Sequence, residues 1–487
     1  MRFLLRLTGI LLLLLVAVLL FNTFRLTNHQ MASAPAAPAL TLDPAATVEH
    51  LAGALRIPSV SRTNYAETDT VPFGQLLRYY RQTFPLVHQR LRRQVVNDFG
   101  LLYEWKGSDA NLKPLLLVAH QDVVPVEPGT EKNWTRPPFA GQVADGFLYG
   151  RGTLDDKLNV IGQLEAVEYL LRAGHQPKRT VLLAFGHDEE TQGKRGARAL
   201  AQLIGQQFPS LEMVLDEGGL VKSDGVGGLK EAVALVGVSE KGYLSLELTA
   251  QGVNGHSSMP PALTSVGRVS SAVAKLEANP FPAHLDAGVG GLLDYIAPAA
   301  PFGLRLVFAN QWLLGGFVKS KMLRTPSTAA ALRTTTAPTI IRGGEKDNVL
   351  PAAATATVNF RLLPGDSVGA VIARVKELIA DPEIKVSILG EGRNASPVSR
   401  TDNAAFTHLQ KTIKGVFPQA LVAPYVVVGA TDARAYAHLA PDATYRFMPV
   451  RMAQTDIERL HGANERISTA AYQDVIRFYV QLLRNPL

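Results

Sequence analysis

Continuous apolar runs that stop abruptly at polar residues constrain this chain more than any other feature. Three of them span 115–119, 180–185 and 213–215, and they end at His120, at a Gly-His-Asp-Glu-Glu sequence and at Asp216. Runs that are apolar at every position indicate strands buried on both faces, as in a parallel sheet covered by helices. Between the runs, residues 157–173 repeat apolar side chains at helical spacing. This alternation predicts an α/β domain with a mostly parallel central sheet.

The pattern changes near residue 240. Residues 243–250 and 353–362 alternate polar and apolar side chains, as half-exposed strands do. With helices expected at 262–277 and 367–380, they predict an inserted α+β domain with an antiparallel sheet. The first pattern resumes after Pro397, with an apolar run at 425–428 and a final helix near 468–484. The expected divisions are an N-terminal segment (1–26), a linker (27–45), a first part of the α/β domain (46–239), an inserted domain (240–394) and a second part of the α/β domain (395–487).

The N-terminus has the pattern of an export segment. Arg2 and Arg6 precede an apolar run that reaches Phe21. Counted from Phe3 the run has 19 residues, close to the about 20 that span a bilayer. Because no small-residue cleavage site follows directly, an uncleaved membrane anchor is favoured, with a cleaved secretion signal as the alternative. The body is then expected outside the cytoplasm, in the periplasm or the extracellular space.

Composition excludes several classes of site and partner. The chain has no cysteine, which excludes disulfides, iron–sulfur clusters, thiolate zinc sites and cysteine nucleophiles. Lys and Arg number 49 against 42 Asp and Glu, a net charge of +7, with no dense basic cluster interleaved with aromatics. Nucleic acid is therefore not an expected partner. The sequence also lacks the H-E-x-x-H, G-x-S-x-G and P-loop motifs of rival hydrolases and nucleotide-binding proteins.

Groups able to bind a metal collect at the predicted strand ends. They are His120, Asp122, Asp155, Asp156, Glu189, Glu190, Asp216 and, far along the chain, His461. Open α/β sheets place active sites at the carboxyl ends of their strands, and clustered carboxylates call for bound cations. Imidazole and carboxylate without sulfur suit zinc, with cobalt or manganese as substitutes. The number of groups predicts two metal ions about 3.5–4 Å apart that share a carboxylate.

The order of these motifs carries a family resemblance over about residues 45–487. His120-x-Asp122, Gly-Arg-Gly-Thr-Leu-Asp-Asp-Lys, Glu189-Glu190, Asp216 and the late His461 resemble the five-part signature of the co-catalytic zinc peptidases. That family includes glutamate carboxypeptidase, acetylornithine deacetylase, succinyl-diaminopimelate desuccinylase and aminoacylase-1. The motifs GHSSMPP (255–261) and HGANERIS (461–468), the N-terminal segment and the long insert are similar to its carboxypeptidase S branch, which also holds the secreted N-fatty-acyl-amino-acid synthase/hydrolase.

The resemblance implies a role for each matching residue of the metal centre. His120, Asp155 and Asp216 would hold one zinc ion, and Asp155, Glu190 and His461 the other, so that Asp155 bridges. Asp122 would fix the tautomer of His120 by a hydrogen bond to its free nitrogen. Glu189 would be the general base that activates a metal-bridging water and then protonates the leaving nitrogen. The family also has a cis peptide bond between the two aspartates, here Asp155 and Asp156.

The resemblance makes residues 46–239 and 395–487 the two parts of the catalytic domain, with an anchor or signal at 1–26 and a lid or dimerisation-type domain at 240–394. It also assigns substrate contacts, mostly to that lid. His256 would donate to the developing oxyanion, and in relatives this histidine often comes from a partner subunit, so the resemblance admits a homodimer. Asn348 and Arg361 match positions that grip the substrate, and Gly429 would offer backbone N–H groups. A guanidinium suits capture of a carboxylate. An enzyme that needs a free carboxylate beside the scissile amide is a carboxypeptidase or an N-acyl-amino-acid hydrolase.

Three functions are weighed on these grounds. The first is a membrane-anchored di-zinc metallopeptidase of carboxypeptidase or aminoacylase type, which cleaves the amide next to a free carboxylate in small peptides or N-acyl amino acids. The second is an N-fatty-acyl-amino-acid hydrolase or synthase of the same mechanism, motivated by the apolar segment 280–335. That segment is interpreted as helical core, as the wall of a substrate channel or as a membrane-facing patch. The third is a non-catalytic extracytoplasmic peptide-binding protein.

Overall fold

The computed structural model describes residues 1–285, 289–485 and 487. The helices are α1 (Arg2–Phe24), α2 (Pro44–Leu55), α3 (Val71–Thr83), α4 (Pro85–Arg90), α5 (Lys157–Arg172), α6 (Ala197–Gln207), α7 (Ser265–Ala278), α8 (Gly291–Ile296), α9 (Phe302–Ala309), α10 (Gln311–Met322), α11 (Pro326–Leu332), α12 (Val368–Ile379), α13 (Ala404–Val416), α14 (Ala433–Tyr436), α15 (Gln454–Ile457) and α16 (Thr469–Arg484).

The strands are β1 (Arg92–Val96), β2 (Gly100–Trp105), β3 (Leu115–His120), β4 (Gln142–Ala144), β5 (Phe147–Tyr149), β6 (Val181–Gly186), β7 (Met213–Asp216), β8 (Leu220–Lys222), β9 (Val233–Glu240), β10 (Gly242–Gln251), β11 (Gly255–His256), β12 (Thr335–Gly343), β13 (Val349–Leu350), β14 (Ala353–Leu362), β15 (Ile384–Ile388), β16 (Leu421–Val427), β17 (Thr444–Arg446), β18 (Arg451–Met452) and β19 (Arg466–Ser468). The chain divides into a larger unit (28–238, 398–424 and 431–487) and a smaller unit (1–27, 239–397 and 425–430).

The larger unit is built on a ten-stranded sheet in the order β1-β2-β6-β3-β7-β17-β9-β8-β18, with β16 paired to β9. Its central strands β6, β3, β7 and β17 run parallel. Every residue of β3 and β6 is buried, as their continuous apolar runs predict. The α5 helix packs on β3 and on α16, so this part of the sheet is covered. The expected α/β class with a mostly parallel central sheet is confirmed.

The linker predicted at 27–45 lies along the larger unit. The amide of Ala37 donates to the Gly415 carbonyl at 2.8 Å, and the Gln410 side chain donates to the His29 carbonyl at 2.9 Å. Both partners belong to α13. The linker ends where Asp43 caps α2, since its carboxylate accepts the Ala45 amide at 2.9 Å.

The smaller unit holds a four-stranded antiparallel sheet in the order β12-β14-β10-β15. Buried and half-buried residues alternate along all ten positions of β14, which confirms the predicted half-exposed strand. Its buried side chains, Val358 and Phe360 among them, join those of β10 and of the covering helices α7 and α12 in one apolar core. Thr264 and Ser367 cap these two helices through their hydroxyl groups.

The apolar segment 280–335 contains helices α8 to α11, apart from 286–288, which lie outside the described residues. Leu293, Ile296 and Phe308 are buried, in keeping with the interpretation as helical core. Trp312 and Phe317, in contrast, are 61% and 65% exposed. The segment therefore supplies both core and a large exposed apolar surface.

Candidate metal centre

His120 and Asp155 form the centre of the cluster in the larger unit. His120 is the last residue of β3, opposite Gly186 at the end of β6, so it lies at the carboxyl edge of the parallel strands. Its Nε2 atom is 2.8 Å from Asp155 Oδ1. Its Nδ1 atom is 3.0 Å from the backbone carbonyl oxygen of Asp122 and 3.4 Å from the Asp122 carboxylate. The imidazole therefore presents Nε2 to the cluster.

His461 approaches the same carboxylate from the far end of the chain. Its Nε2 atom lies 2.9 Å from Asp155 Oδ2 and 3.3 Å from Glu190 Oε2. His461 has a φ of 58°, in the left-handed region, which is uncommon for a residue other than glycine. The two oxygens of Asp155 thus face two different histidines, as a carboxylate shared between two cations would.

Asp122 positions the turn that carries the two adjacent glutamates. Its fully buried carboxylate accepts the backbone amide of Glu189 at 3.1 Å and that of Glu190 at 3.2 Å. The Ser61 hydroxyl donates to it at 2.6 Å. The Glu190 side chain contacts His461 in the cluster. Glu189 precedes Glu190 in the same short 3₁₀ turn, 189–191.

The two adjacent acids at the end of β7, Asp216 and Glu217, make different contacts. The Asp216 carboxylate accepts the amides of Glu217 (2.9 Å) and Ala433 (2.5 Å). Glu217, in contrast, places Oε1 3.4 Å from His120 Nε2. Sequence reasoning singled out Asp216 and passed over Glu217. The only available signal was the Asp-Glu pair itself, because neighbouring side chains at a strand end point in different directions.

Glu465 and Arg151 support the loop that carries Asp155. The fully buried Glu465 carboxylate accepts the amides of Leu154 (2.6 Å) and Asp155 (3.2 Å) and pairs with Arg151 at 2.7 Å. Arg151 also donates to the His461 carbonyl at 3.1 Å. Both residues were missed from the sequence, although Glu465 belongs to the HGANERIS motif.

The Asp155–Asp156 peptide bond is cis, as the family resemblance implied. Asp156 is fully buried and accepts the His120 backbone amide at 3.2 Å. Its side chain is thereby engaged with the end of β3.

The cluster holds more negative than positive charge. Hydrogen bonds to Asp155 and Glu190 raise the pKa of His461 to about 10. Burial raises the pKa of Glu217 to about 8, and it raises the pKa of Glu189 well above its usual range. Carboxylates crowded in a low-dielectric site are stabilised by a nearby positive charge.

The donor set fits divalent cations. Ligand atoms of His120, Asp155 and Glu190 lie within 4.8 Å of one another, as do those of His120, Asp156 and Glu217. Glu190 Oε1 is buried and has no hydrogen-bond partner in the described part of the chain. Buried carboxylate oxygens are normally satisfied, so this atom points to a missing ligand. Nitrogen and oxygen donors without sulfur suit zinc, cobalt or manganese.

The four residues expected to contact substrate lie in the smaller unit. His256 (β11) pairs with Val349 (β13), and the carbonyl of Asn348 beside it accepts the amide of Ser257 at 3.1 Å. The structure thus brings His256 and Asn348 into neighbouring backbone. Arg361, on the polar face of β14, lies with its guanidinium carbon 4.8 Å from the centre of the Tyr243 ring. Gly429 follows β16 in an exposed loop.

A family model decides the assignment. The model described as "Peptidase family M20/M25/M40" matches residues 116–485. The chain belongs to this family. It is therefore a hydrolase of the metallopeptidase class, as the resemblance predicted.

Curated relatives cover nearly the whole chain. N-fatty-acyl-amino acid synthase/hydrolase PM20D1 of Xenopus tropicalis is 42% identical over 442 residues, which cover 90% of this chain and 85% of that protein. Carboxypeptidase S of Saccharomyces cerevisiae is 32% identical, covering 91% of this chain and 85% of that protein. These two relatives confirm the predicted kinship with the carboxypeptidase S branch. Among solved structures, the M20 family metallo-carboxypeptidase Sso-CP2 from Sulfolobus solfataricus has a TM-score of 0.66 at 18% identity, covering 90% of this chain and 98% of that one. The fold is therefore that of M20 peptidases.

Proposed function

We propose that this chain is a two-metal amidohydrolase that cleaves the amide bond next to a free carboxylate in small peptides or N-acyl amino acids. One observation carries the proposal. His461, 306 positions from Asp155 along the chain, lies 2.9 Å from one oxygen of that carboxylate, while His120 lies 2.8 Å from the other. A carboxylate with an imidazole on each oxygen is suited to bridge two cations.

Five side chains would hold the metals, with zinc favoured and cobalt or manganese as substitutes. They are His120, Asp155, Glu190, His461 and one acid from the end of β7. Glu217 is the better candidate for that acid, because its Oε1 atom is 3.4 Å from His120 Nε2. Asp216 remains the alternative implied by the family resemblance, and both of its oxygens already accept backbone amides.

Each side chain then has a defined task. Bound cations of this kind polarise a carbonyl group and favour ionisation of water. Glu189, whose amide is held by Asp122, takes the proton from the attacking water and delivers it to the leaving nitrogen. Asp122 orients both Glu189 and the ring of His120, so it acts as a positioning residue.

Residues of the smaller unit would bind the rest of the substrate. His256 donates to the oxyanion, in keeping with its exposed ring, which Ser258 holds through a 2.8 Å contact at Nδ1. Arg361 takes the substrate carboxylate as a bidentate partner, assisted by Asn348 and by backbone N–H groups near Gly429. The inserted domain, residues 240–394, would thus serve as a lid. A homodimer in which His256 serves the partner's site stays a prediction.

Glu189→Gln tests the assignment of the base. The variant keeps the side-chain volume and leaves every proposed ligand in place, so we expect unchanged metal content. Turnover should fall on the order of 10²- to 10⁴-fold, the usual contribution of general acid–base catalysis. Steady-state kinetics on a dipeptide, with metal analysis of the same sample, measure both. Near-normal turnover would mean that another group is the base.

The non-catalytic alternative has its own test. Tight peptide binding without cleavage by the zinc-replete wild type would favour a binding protein.

A second candidate function is hydrolysis or synthesis of N-fatty-acyl amino acids by the same residues. The exposed apolar surface of α9 and α10 favours it, as does the 42% identity to the Xenopus protein named for that activity. Comparing kcat/KM for an N-lauroyl amino acid with kcat/KM for a dipeptide of the same C-terminal residue distinguishes the two functions. No gain from the long chain would contradict the second candidate.

The N-terminal helix is proposed to be an uncleaved anchor that holds the body outside the cytoplasm. Among the described residues, α1 is the one helix long and apolar enough to cross a membrane. Asn310, fully buried, donates to the Leu19 carbonyl at 3.1 Å, and Asn22 donates to Asn310 at 3.0 Å. Removing α1 as a signal would take these partners away. The N-terminal residue of the mature protein, read by mass spectrometry, tests the anchor against the cleaved alternative.

A further inference from the structure

The last turns of α1 are packed against the helical segment of the smaller unit. Thr23 is 1% exposed, and its hydroxyl lies 3.4 Å from the amide nitrogen of Asn310, between α9 and α10. The Phe24 and Phe302 rings have centroids 6.3 Å apart. Earlier in α1 the apolar side chains are not covered by other residues of the chain, with Phe3 76% and Leu13 72% exposed. The packing therefore fixes α9 and α10 beside the end of α1.

The exposed face of α10 is its apolar face. Trp312, Leu313, Gly316 and Phe317 follow one another at helical spacing and are all exposed, whereas Gly315 and Val318 face the interior. A helix on a water-exposed surface normally shows the reverse distribution. Exposed apolar patches of this kind mark contact with another protein or with a membrane.

The same face of α10 becomes basic toward its C-terminal end. Ser320 and Lys321 continue the spacing of Trp312 and Phe317, and Arg324 follows two residues after the end of the helix; all three are exposed. Tryptophan with apolar neighbours, followed by lysine and arginine, is the composition of helices that lie in a membrane interface. The cations then meet anionic lipid headgroups.

We infer that the α10 face formed by Trp312, Leu313 and Phe317, here called the docking face, inserts into the interfacial layer of the lipid bilayer that α1 crosses. The inference rests on the proposed anchor. It is carried by the continuity between α1 and α9 and by the apolar and then basic character of α10. It also gives the lid a position at the membrane surface, where a long-chain N-acyl amino acid would be concentrated.

A second copy of this chain fits the docking face less well than lipid does. A two-fold contact places the same patch of both copies against itself. Depending on the direction of the second α10, Lys321 and Arg324 would then meet the like charges or the apolar side chains of the other copy, whereas anionic lipid headgroups would neutralise them.

Tryptophan fluorescence tests the inference on the full chain. Of the three tryptophans, Trp105 and Trp134 are 4% and 8% exposed and Trp312 is 61% exposed. The protein is reconstituted into phosphatidylcholine and phosphatidylglycerol vesicles whose acyl chains carry bromine. The difference between wild type and Trp312→Phe isolates the Trp312 emission. We expect bromolipid to remove more than half of that emission and aqueous iodide to quench it weakly.

Two variants and one control sharpen the test. Leu313→Ser combined with Phe317→Ser should sharply reduce quenching by bromolipid, whereas Ile341→Ser, at an exposed apolar position on β12, should leave it unchanged. Lys321→Glu combined with Arg324→Glu should reduce the quenching in phosphatidylglycerol vesicles more than in pure phosphatidylcholine vesicles.

The outcomes separate the docking face from the anchor. Failure of the protein to float with vesicles would overturn the anchor and this inference with it. Flotation with Trp312 open to iodide and untouched by bromolipid would overturn the docking face alone. Flotation with Trp312 shielded from both quenchers would also overturn it, in favour of contact between protein copies.

Discussion

Asp122 connects parts of the candidate centre that are far apart in the chain. Its carboxylate accepts the Ser61 hydroxyl at 2.6 Å and the amides of Glu189 and Glu190, while its backbone carbonyl oxygen lies 3.0 Å from His120 Nδ1. One residue therefore orients the turn that carries the proposed base through its side chain and the imidazole of His120 through its backbone carbonyl. Hydrogen bonds of this kind, behind the ligands, set ring orientation and ligand basicity.

The acids at the end of β7 provide a prediction at the same scale. Glu217→Gln should lower the affinity of one metal ion by 10-fold or more, because its Oε1 atom faces His120. Asp216→Asn can accept only one of the two backbone amides that Asp216 accepts, so it should lower stability while metal stoichiometry is retained. Equilibrium dialysis against zinc compares the two variants. Loss of metal from Asp216→Asn and not from Glu217→Gln would restore Asp216 as the ligand.

His408 predicts how stability depends on pH. Burial lowers its pKa below the ordinary 6.5, aided by Lys411 and Arg179 and opposed by the hydrogen bond to the Leu482 carbonyl. The unfolded chain then binds a proton at higher pH than the folded one does. The free energy of unfolding should therefore fall as pH drops below 6.5, by up to about 1.4 kcal/mol per pH unit from this group.

Urea unfolding of detergent-solubilised protein at several pH values measures this effect. Trp105 and Trp134, both buried in the larger unit that contains His408, report on the transition. His408→Gln retains a donor for the Leu482 carbonyl but cannot titrate, so its stability should depend less steeply on pH. An equal slope in both proteins would contradict the prediction.

The residues that sequence reasoning missed share one property. Glu217, Glu465 and Asn310 act through partners that lie far away in the chain or through the direction of a side chain. Asn310, for example, bonds to Leu19 across 291 positions. Local patterns of apolar residues do not contain that information. The structure brings His120, Glu190 and His461 close together, as expected from the ordered motifs that resemble a known family, and their roles stay predictions.

At the scale of elements, continuous and alternating apolar runs were reliable guides. The run 115–119 lies in β3, and 353–362 forms β14 with the predicted alternation. A strand buried on both faces is apolar at every position, whereas a strand buried on one face alternates, so the sequence pattern reports the burial. The antiparallel strands β1 and β2 at the sheet edge were not foreseen. Edge strands such as β1 carry mixed polarity, here Arg-Arg-Gln-Val-Val, and so lack a clear period.

Gly219, between β7 and β8, provides a prediction about packing between strands. A Cβ atom there would lie 2.3 Å from the Leu235 carbonyl oxygen and 2.4 Å from that of Arg446, both of which are backbone atoms. Gly219→Ala should therefore destabilise the larger unit by about 1–3 kcal/mol.

Gly205→Ala is the matched control within the same unit. Gly205 lies inside α6, and the nearest side-chain atom, from Leu439, is 3.4 Å from the Cβ position. Alanine should leave stability unchanged or raise it by roughly 0.5–1 kcal/mol through helix propensity. Thermal unfolding followed by the emission of the buried tryptophans compares the two. Equal stability of Gly219→Ala and wild type would contradict the packing argument.

At the scale of the whole molecule, each unit contributes a different kind of chemistry. The larger unit carries the imidazoles and carboxylates of the proposed two-metal centre, and the smaller unit carries the cationic and hydrogen-bonding groups proposed for the substrate. The smaller unit also includes α1 and the docking face. Both units belong to one family fold, since the matched region 116–485 runs through the larger unit and the insert.

The central claim is that Asp155 is shared by two metal ions, one beside His120 and one beside His461. Zinc titration of the metal-free full-length enzyme, with bound zinc and turnover measured in the same samples, tests it most directly. We predict that the wild type binds two zinc ions per chain and needs both for full turnover, and that His461→Ala binds one and is inactive. A wild type that is fully active with one zinc ion, or a His461→Ala variant that retains two, would contradict the account.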